Sequence, residues 1–219
     1  MNYKRDIMKT IKNLEFISEN IIKQIQSTIK KHNRILILGI GDNKLSDDGV
    51  GSFISSYFYL KLKDKNMKYI EKDFQKVKFM DGKTFYTERM NEIIEFKPDL
   101  LIIIDTCNSK DPPGTVIWVD ETKFNDVVPI SSHLIPIHIF IGQLKNKISN
   151  LSTYLLGINP FSLEFSENID FFMPNRFNLD DYENDLDIPF YSFNLSNQMK
   201  KIAEEIIIFF KDILEISNL

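Results

Sequence analysis

Three side chains of this chain could do acid–base or metal chemistry together: Asp48, Asp105 and His133. Asp47 and Asp48 follow a glycine loop, GIGDNKLSDD, and precede Gly49 and Gly51. A carboxylate there is stabilised by the free N–H groups and the dipole of a following helix, so capping competes with catalysis as a reading, most directly for Asp47. Asp105 closes the apolar run LLIIID, and His133 follows Ser131 and Ser132. Buried acids at strand ends commonly just accept loop N–H bonds, and that reading stands beside the functional one for Asp105. Two carboxylates and one imidazole make a mixed oxygen–nitrogen set suited to zinc or nickel, or an acid–base set. Cys107 is the single cysteine; it is either a nucleophile or, as lone buried cysteines usually are, a small hydrophobe. His32 lies on the N-terminal helix, and His138, within PIHIFIG, is expected to be a satisfied core histidine.

These residues need elements to hold them. The run RILILG (34–39) reads as a strand buried on both faces and stopped by glycine. Val50, Phe53, Ile54, Tyr57 and Phe58 then have helical spacing. Further strands are expected at 76–80, 100–105, 115–119 and 154–158, and helices at 85–96, 134–144 and 194–213. A long amphipathic helix is expected over 4–32, packed through Ile11, Leu14, Ile21 and Ile25. Strands alternating with helices predict an α/β fold: one domain, a twisted, mostly parallel sheet with helices on both faces, three layers in all. In such sheets ligands bind beyond the carboxyl ends of the strands, where Asp48 and Asp105 would both emerge. Residues 1–33 form an N-terminal extension and 34–219 the domain, with an insertion near 165–192. That insertion contains an acidic run at 180–187, expected to be mobile or partner-facing because unpaired acids resist burial.

Several chemistries are excluded. A dinucleotide fingerprint starting at Gly39 fails at Lys44, and the P-loop, the G-x-S-x-G elbow and H-E-x-x-H are absent. A net charge of −4 argues against nucleic acid as the partner. One cysteine excludes a disulfide framework and suits the cytoplasm. No apolar stretch approaches the roughly 20 residues needed to span a bilayer, so a membrane role is not expected.

The motifs taken in order resemble the nickel–iron hydrogenase maturation endopeptidases. The family's G-x-G-N-x-x-x-x-D-(D/E)-G-x-G loop is matched from Gly39 to Gly51, with Asp42 in place of asparagine. Its D-G-G-T is matched by Asp81, Gly82, Lys83 and Thr84, with Lys83 in place of the second glycine. The strand-end aspartate is matched by Asp105, the following P-G-T by Pro113, Gly114 and Thr115, and S-x-H by Ser131, Ser132 and His133. Gly157 to Pro160 match G-x-x-P, and Ser162, Leu163 and Glu164 match S-L-E. The resemblance spans about residues 34–165 and implies a divergent member. It implies an aspartic-type endopeptidase that removes the C-terminal extension of a nickel-loaded hydrogenase large-subunit precursor. Asp48, Asp105 and His133 would then be both the catalytic set and the ligands that meet the metal. Asp81, Gly82, Lys83 and Thr84 would bind substrate. No tightly bound cofactor is expected, because the precursor supplies the nickel. The alternatives are a non-catalytic assembly factor that binds the same precursor, or another metal-assisted hydrolase on this fold.

Overall fold

Strand β1 (Arg34–Ile40) is buried without interruption from Ile35 to Ile40, as a strand covered on both faces must be. The computed structural model describes residues 14–72, 74–124, 128–129, 136–165 and 193–216. In it β1 pairs in parallel with β3 (Gln75–Lys83) and β4 (Leu100–Asn108), and β4 with β7 (Ser152–Ile158). Antiparallel strands close the two edges, β2 (Ile70–Lys72) on β3 and β5 (Val116–Asp120) on β7. The order is β2-β3-β1-β4-β7-β5, and a two-residue strand, β6 (Val128–Pro129), pairs with the end of β4.

Alternation along the strands divides the core in two. Ile35, Ile37, Ile102 and Ile104 face one side, covered by α1 (Glu19–Ile29), α2 (Val50–Asp64) and α5 (Asn197–Ile213). There Phe58 stacks on Phe79 at 4.0 Å, and Phe210 meets both rings edge-on. Leu36, Leu38, Leu101 and Ile103 face the other side, under α3 (Met90–Phe96) and α4 (Ile137–Lys145). The fold is therefore the expected single α/β domain of three layers.

Some boundaries differ from the sequence reading. Of the expected helix over 4–32, residues 4–13 lie outside the described residues, and the described part is α-helical from Glu19 to Ile29. Ser18 caps it by accepting the Ile21 N–H, while the N–H groups of Glu15 and Phe16 donate to the Glu205 carboxylate on α5. Spacing of apolar residues runs through a cap unseen. The buried face is Ile22, Ile25 and Ile29, with Leu14 and Ile21 only half-buried; Ile11 lies outside the described residues. Residues 85–96 begin as a 3₁₀ turn, Tyr86–Arg89, and become α-helical at Met90. Helix α4 starts after Pro136, and since it buries Ile137, Phe140, Ile141 and Leu144, His138 points outward and is exposed rather than a core histidine. Residues 166–192, with the acidic run, lie outside the described residues.

Candidate active site

The loop after β1 is shaped by glycines that no other residue could replace. Gly41 has φ +144°, and a Cβ on it would fall 1.8 Å from the Asp48 carbonyl oxygen. A Cβ on Gly51 would fall 2.1 Å from the Ile104 oxygen and 2.4 Å from that of Ile40. The first turn of α2 therefore lies directly on the backbone of β1 and β4. That contact delivers the 3₁₀ turn Ser46–Gly49, and Asp48 with it, to β4 where Asp105 sits, one residue past the strand's last pairing with β1. The strand runs on to Asn108, beyond the expected 105.

Asp48 and Asp105 are both buried. Asp48 Oδ2 accepts the Asp42 N–H at 2.8 Å, and Oδ1 accepts the Thr106 hydroxyl at 2.7 Å. Asp105 Oδ1 accepts the Thr106 N–H at 2.8 Å. One residue thus bonds both carboxylates. Burial raises the Asp48 pKa above the ordinary range, with the Thr106 and Asp42 bonds pulling the other way. Asp105 is raised further, well above the ordinary value, by burial and then by the neighbouring Asp48 charge. The buried Tyr86, edge-on to Phe140 at 4.9 Å, has its phenol pushed up to about 12 by burial and by Asp105. Two like charges in one dry place hold a proton between them or call for a cation, and either property serves hydrolysis.

Asp47 behaves differently. Its Oδ2 accepts the Phe161 and Ser162 N–H groups at 2.8 and 3.1 Å and the Ser196 hydroxyl at 3.1 Å, and its Oδ1 accepts the Ser196 N–H at 2.7 Å. It is structural, as read from the sequence, but it joins two distant segments instead of capping its own helix. Cys107 is buried, with its thiol pushed up to about 12 by burial and by Asp105 and Asp111, which fits the small-hydrophobe reading.

His133, with Ser131 and Ser132, lies outside the described residues. Among the described residues no group of three or more His, Cys, Asp or Glu side chains is arranged to hold a metal ion. The two carboxylates nevertheless fit a hard or borderline divalent ion, being oxygen donors whose mutual repulsion a cation would relieve. His32 is a structural tie, bonded to the Thr28 oxygen and to Ser152 Oγ at the far end of β7 from the site.

Asp81 lies opposite Gly39, two residues before the end of β3. Its buried carboxylate accepts the Ser56 hydroxyl and the Lys83 N–H, both at 3.0 Å, and burial raises its pKa, with a bond from Ser52 opposing. Lys83 has φ +50°, the left-handed region in which glycine is at ease, so this is a position where backbone shape favours glycine over lysine. The Lys83 oxygen accepts the Gly41 N–H, tying this turn to the glycine loop. Gly82 is packed against Tyr86, and Thr84 is half-buried. On the outer side of Asp81 lies a cleft of about 560 Å³ between the end of α2 and β3, reaching Met67, Lys78, Arg89 and Glu92. The turn and the acid pair share the carboxyl edge of the sheet, but the Asp81 carboxylate is engaged by the serines of α2. Thr106 and Tyr86 escaped the sequence reading; the one signal for Thr106 was a hydroxyl immediately after a strand-end aspartate.

Residues 63–170 match the model of the family described as HycI, hydrogenase maturation protease. A candidate hydrogenase maturation protease of Methanocaldococcus jannaschii is 29% identical over 145 residues, covering 63% of this chain and 78% of that relative. Among solved structures, the HycI nickel–iron hydrogenase maturation protease of Thermococcus kodakarensis superposes with a TM-score of 0.60 at 19% identity, over 88% of this chain and 99% of that one. The HybD hydrogenase-maturating endopeptidase of Escherichia coli does so with a TM-score of 0.53 at 22% identity, over 84% and 93%. These two likenesses establish the fold.

Proposed function

We propose that this chain is a hydrogenase maturation protease, as its similarity to that family supports, and that it removes the C-terminal extension of a nickel-loaded hydrogenase large-subunit precursor. The observation that carries the reading is the pairing of Asp48 and Asp105 through Thr106 at the carboxyl edge of the sheet. A peptidase of this family needs groups that can manage a proton or a cation beside a scissile carbonyl, and the pair has that chemistry.

Asp48, Asp105 and His133 would meet the nickel that the precursor carries. A divalent ion so placed polarises a carbonyl or acidifies a bound water. Without it, the chain holds two carboxylates whose full ionisation is disfavoured by burial and by each other. The loaded precursor therefore completes the site, and an unloaded one leaves it idle. The turn at Asp81, Gly82, Lys83 and Thr84 would guide the peptide toward the pair, with Asp81 shaping the turn from within. We place the reaction in the cytoplasm; among the described residues no helix is long and apolar enough to cross a membrane.

The test is cleavage of the cognate precursor with and without nickel, by the wild type and by His133→Ala. Processing of only the loaded precursor, reduced at least about 100-fold by His133→Ala, is expected, in the range of lost acid–base or ligand groups. Equal processing of nickel-free precursor would overturn the metal dependence. Binding without cleavage would turn the reading into an assembly factor.

A further inference from the structure

We infer that Thr106 is a positioning residue that fixes Asp48 and Asp105 as one unit across the edge of the sheet, an inference that rests on the proteolytic reading above for its kinetic consequences. Successive side chains of a strand point to opposite faces. On β4, Ile103 belongs to the core under α3 and α4, and Ile104 to the core under α2. Asp105 therefore emerges on the first of these faces, beside Tyr86, and Thr106 on the second, beside the turn that carries Asp48. The two acids reach the strand end from opposite sides of the sheet. No bond between their own side chains holds them together.

Thr106 spans that gap with two different groups. Its backbone N–H holds Asp105 Oδ1 at 2.8 Å, and its hydroxyl holds Asp48 Oδ1 at 2.7 Å. The residue is wholly buried, so it lies behind the carboxylates and is not a surface for the peptide. The Asp42 N–H secures the other Asp48 oxygen, and a single anchor at one oxygen would let the carboxylate swing about it. The second anchor removes that freedom. A hydroxyl suits the task better than an amide or a cation: it donates one bond and brings no charge that would compete with an arriving metal. Partners that orient ligating or catalytic groups in this way typically account for 10–100-fold in activity or affinity when removed.

The experiment compares Thr106→Val, which keeps the shape and loses the hydroxyl, with Thr106→Ser, which keeps the hydroxyl and loses the methyl. In steady-state cleavage of nickel-loaded precursor, Thr106→Val should lower kcat about 10–100-fold with KM within about twofold. Thr106→Ser should stay within about threefold of the wild type in both. Crystal structures of the wild type and Thr106→Val should show the Asp48 carboxylate rotated in the variant and Asp105 unmoved. Full activity in Thr106→Val, or a serine variant no better than the valine one, would overturn the assignment. Should the wild type cut no precursor, the proteolytic reading fails by itself, and the crystallographic comparison alone decides the inference: an unmoved Asp48 in Thr106→Val overturns it.

Discussion

Asp47 and Asp48 are adjacent in the chain and equally buried, yet they live in opposite electrostatic surroundings. Asp47 is surrounded by donors: three backbone N–H groups and one hydroxyl converge on it from the 161–162 segment and from Ser196, the N-cap of α5. Asp48 has two donors and a second carboxylate for a neighbour. A saturated buried carboxylate stabilises a fold; an under-saturated one beside a like charge costs stability and retains reactivity. The 3₁₀ turn makes the division, since one residue further along it a side chain points to a different side. Asp47 faces the loops that close over the sheet edge, and Asp48 faces the end of β4.

The same substitution at the two positions should therefore have opposite outcomes. Asp48→Asn, like Asp105→Asn, should lower precursor cleavage by about 10²–10⁴-fold, the usual range for a lost acid–base group, without lowering the urea midpoint. Asp47→Asn should do the reverse. Whichever way the amide turns, its NH₂ meets an N–H donor, so a loss of about 2–4 kcal/mol in stability is expected from urea unfolding. Each folded molecule of that variant should keep more than about a tenth of wild-type turnover, since the acid pair is untouched. A variant at 47 that is stable but inactive, or one at 48 that unfolds, would erase the distinction.

The contrast also has a pH signature. Asp105 keeps its proton to a higher pH in the folded chain than in the unfolded one. The folded state is thus favoured below the ordinary carboxylate value and loses that advantage as pH rises through the folded pKa. Asp105→Asn should accordingly melt above the wild type at pH 7, with the gain shrinking as pH falls toward 4. Thermal melts across that range check it, and a gain that grows on acidification would reverse the assignment. The smallest effect is expected at the far end of the clamp. Ser196→Ala removes the cap on the Met199 N–H at 3.2 Å together with the hydroxyl bond to Asp47, and should cost about 1 kcal/mol. In a double-mutant cycle with Asp47→Asn the two losses should be less than additive, because they share a bond.

Much of this arrangement is legible before folding is considered. The apolar runs at 34–39 and 100–105 read as strands covered on both faces, and they are, whereas the close packing of backbone behind Gly39, Gly41 and Gly51 shows only in the structure. The motif order from Gly39 to Glu164 points to the family. Periodicity failed where a polar group intervened: Ser18 starts α1 and Glu205 takes the N–H groups before it, and neither alters the spacing of isoleucines. It failed again at His138, where neighbours are apolar but the helix turns that position outward.

The chain by itself determined the strands, their alternation with helices, and the acids at the strand and loop ends, because these depend on local pattern and on residue chemistry that does not change with context. Only the tertiary structure decided which aspartate does which work. Asp47 owes its role to residues 114 to 149 positions away, and Asp48 to a threonine 58 positions away. The charge a carboxyl group can hold is set by donors and dielectric in three dimensions, and two neighbouring letters of the same amino acid carry no information about either.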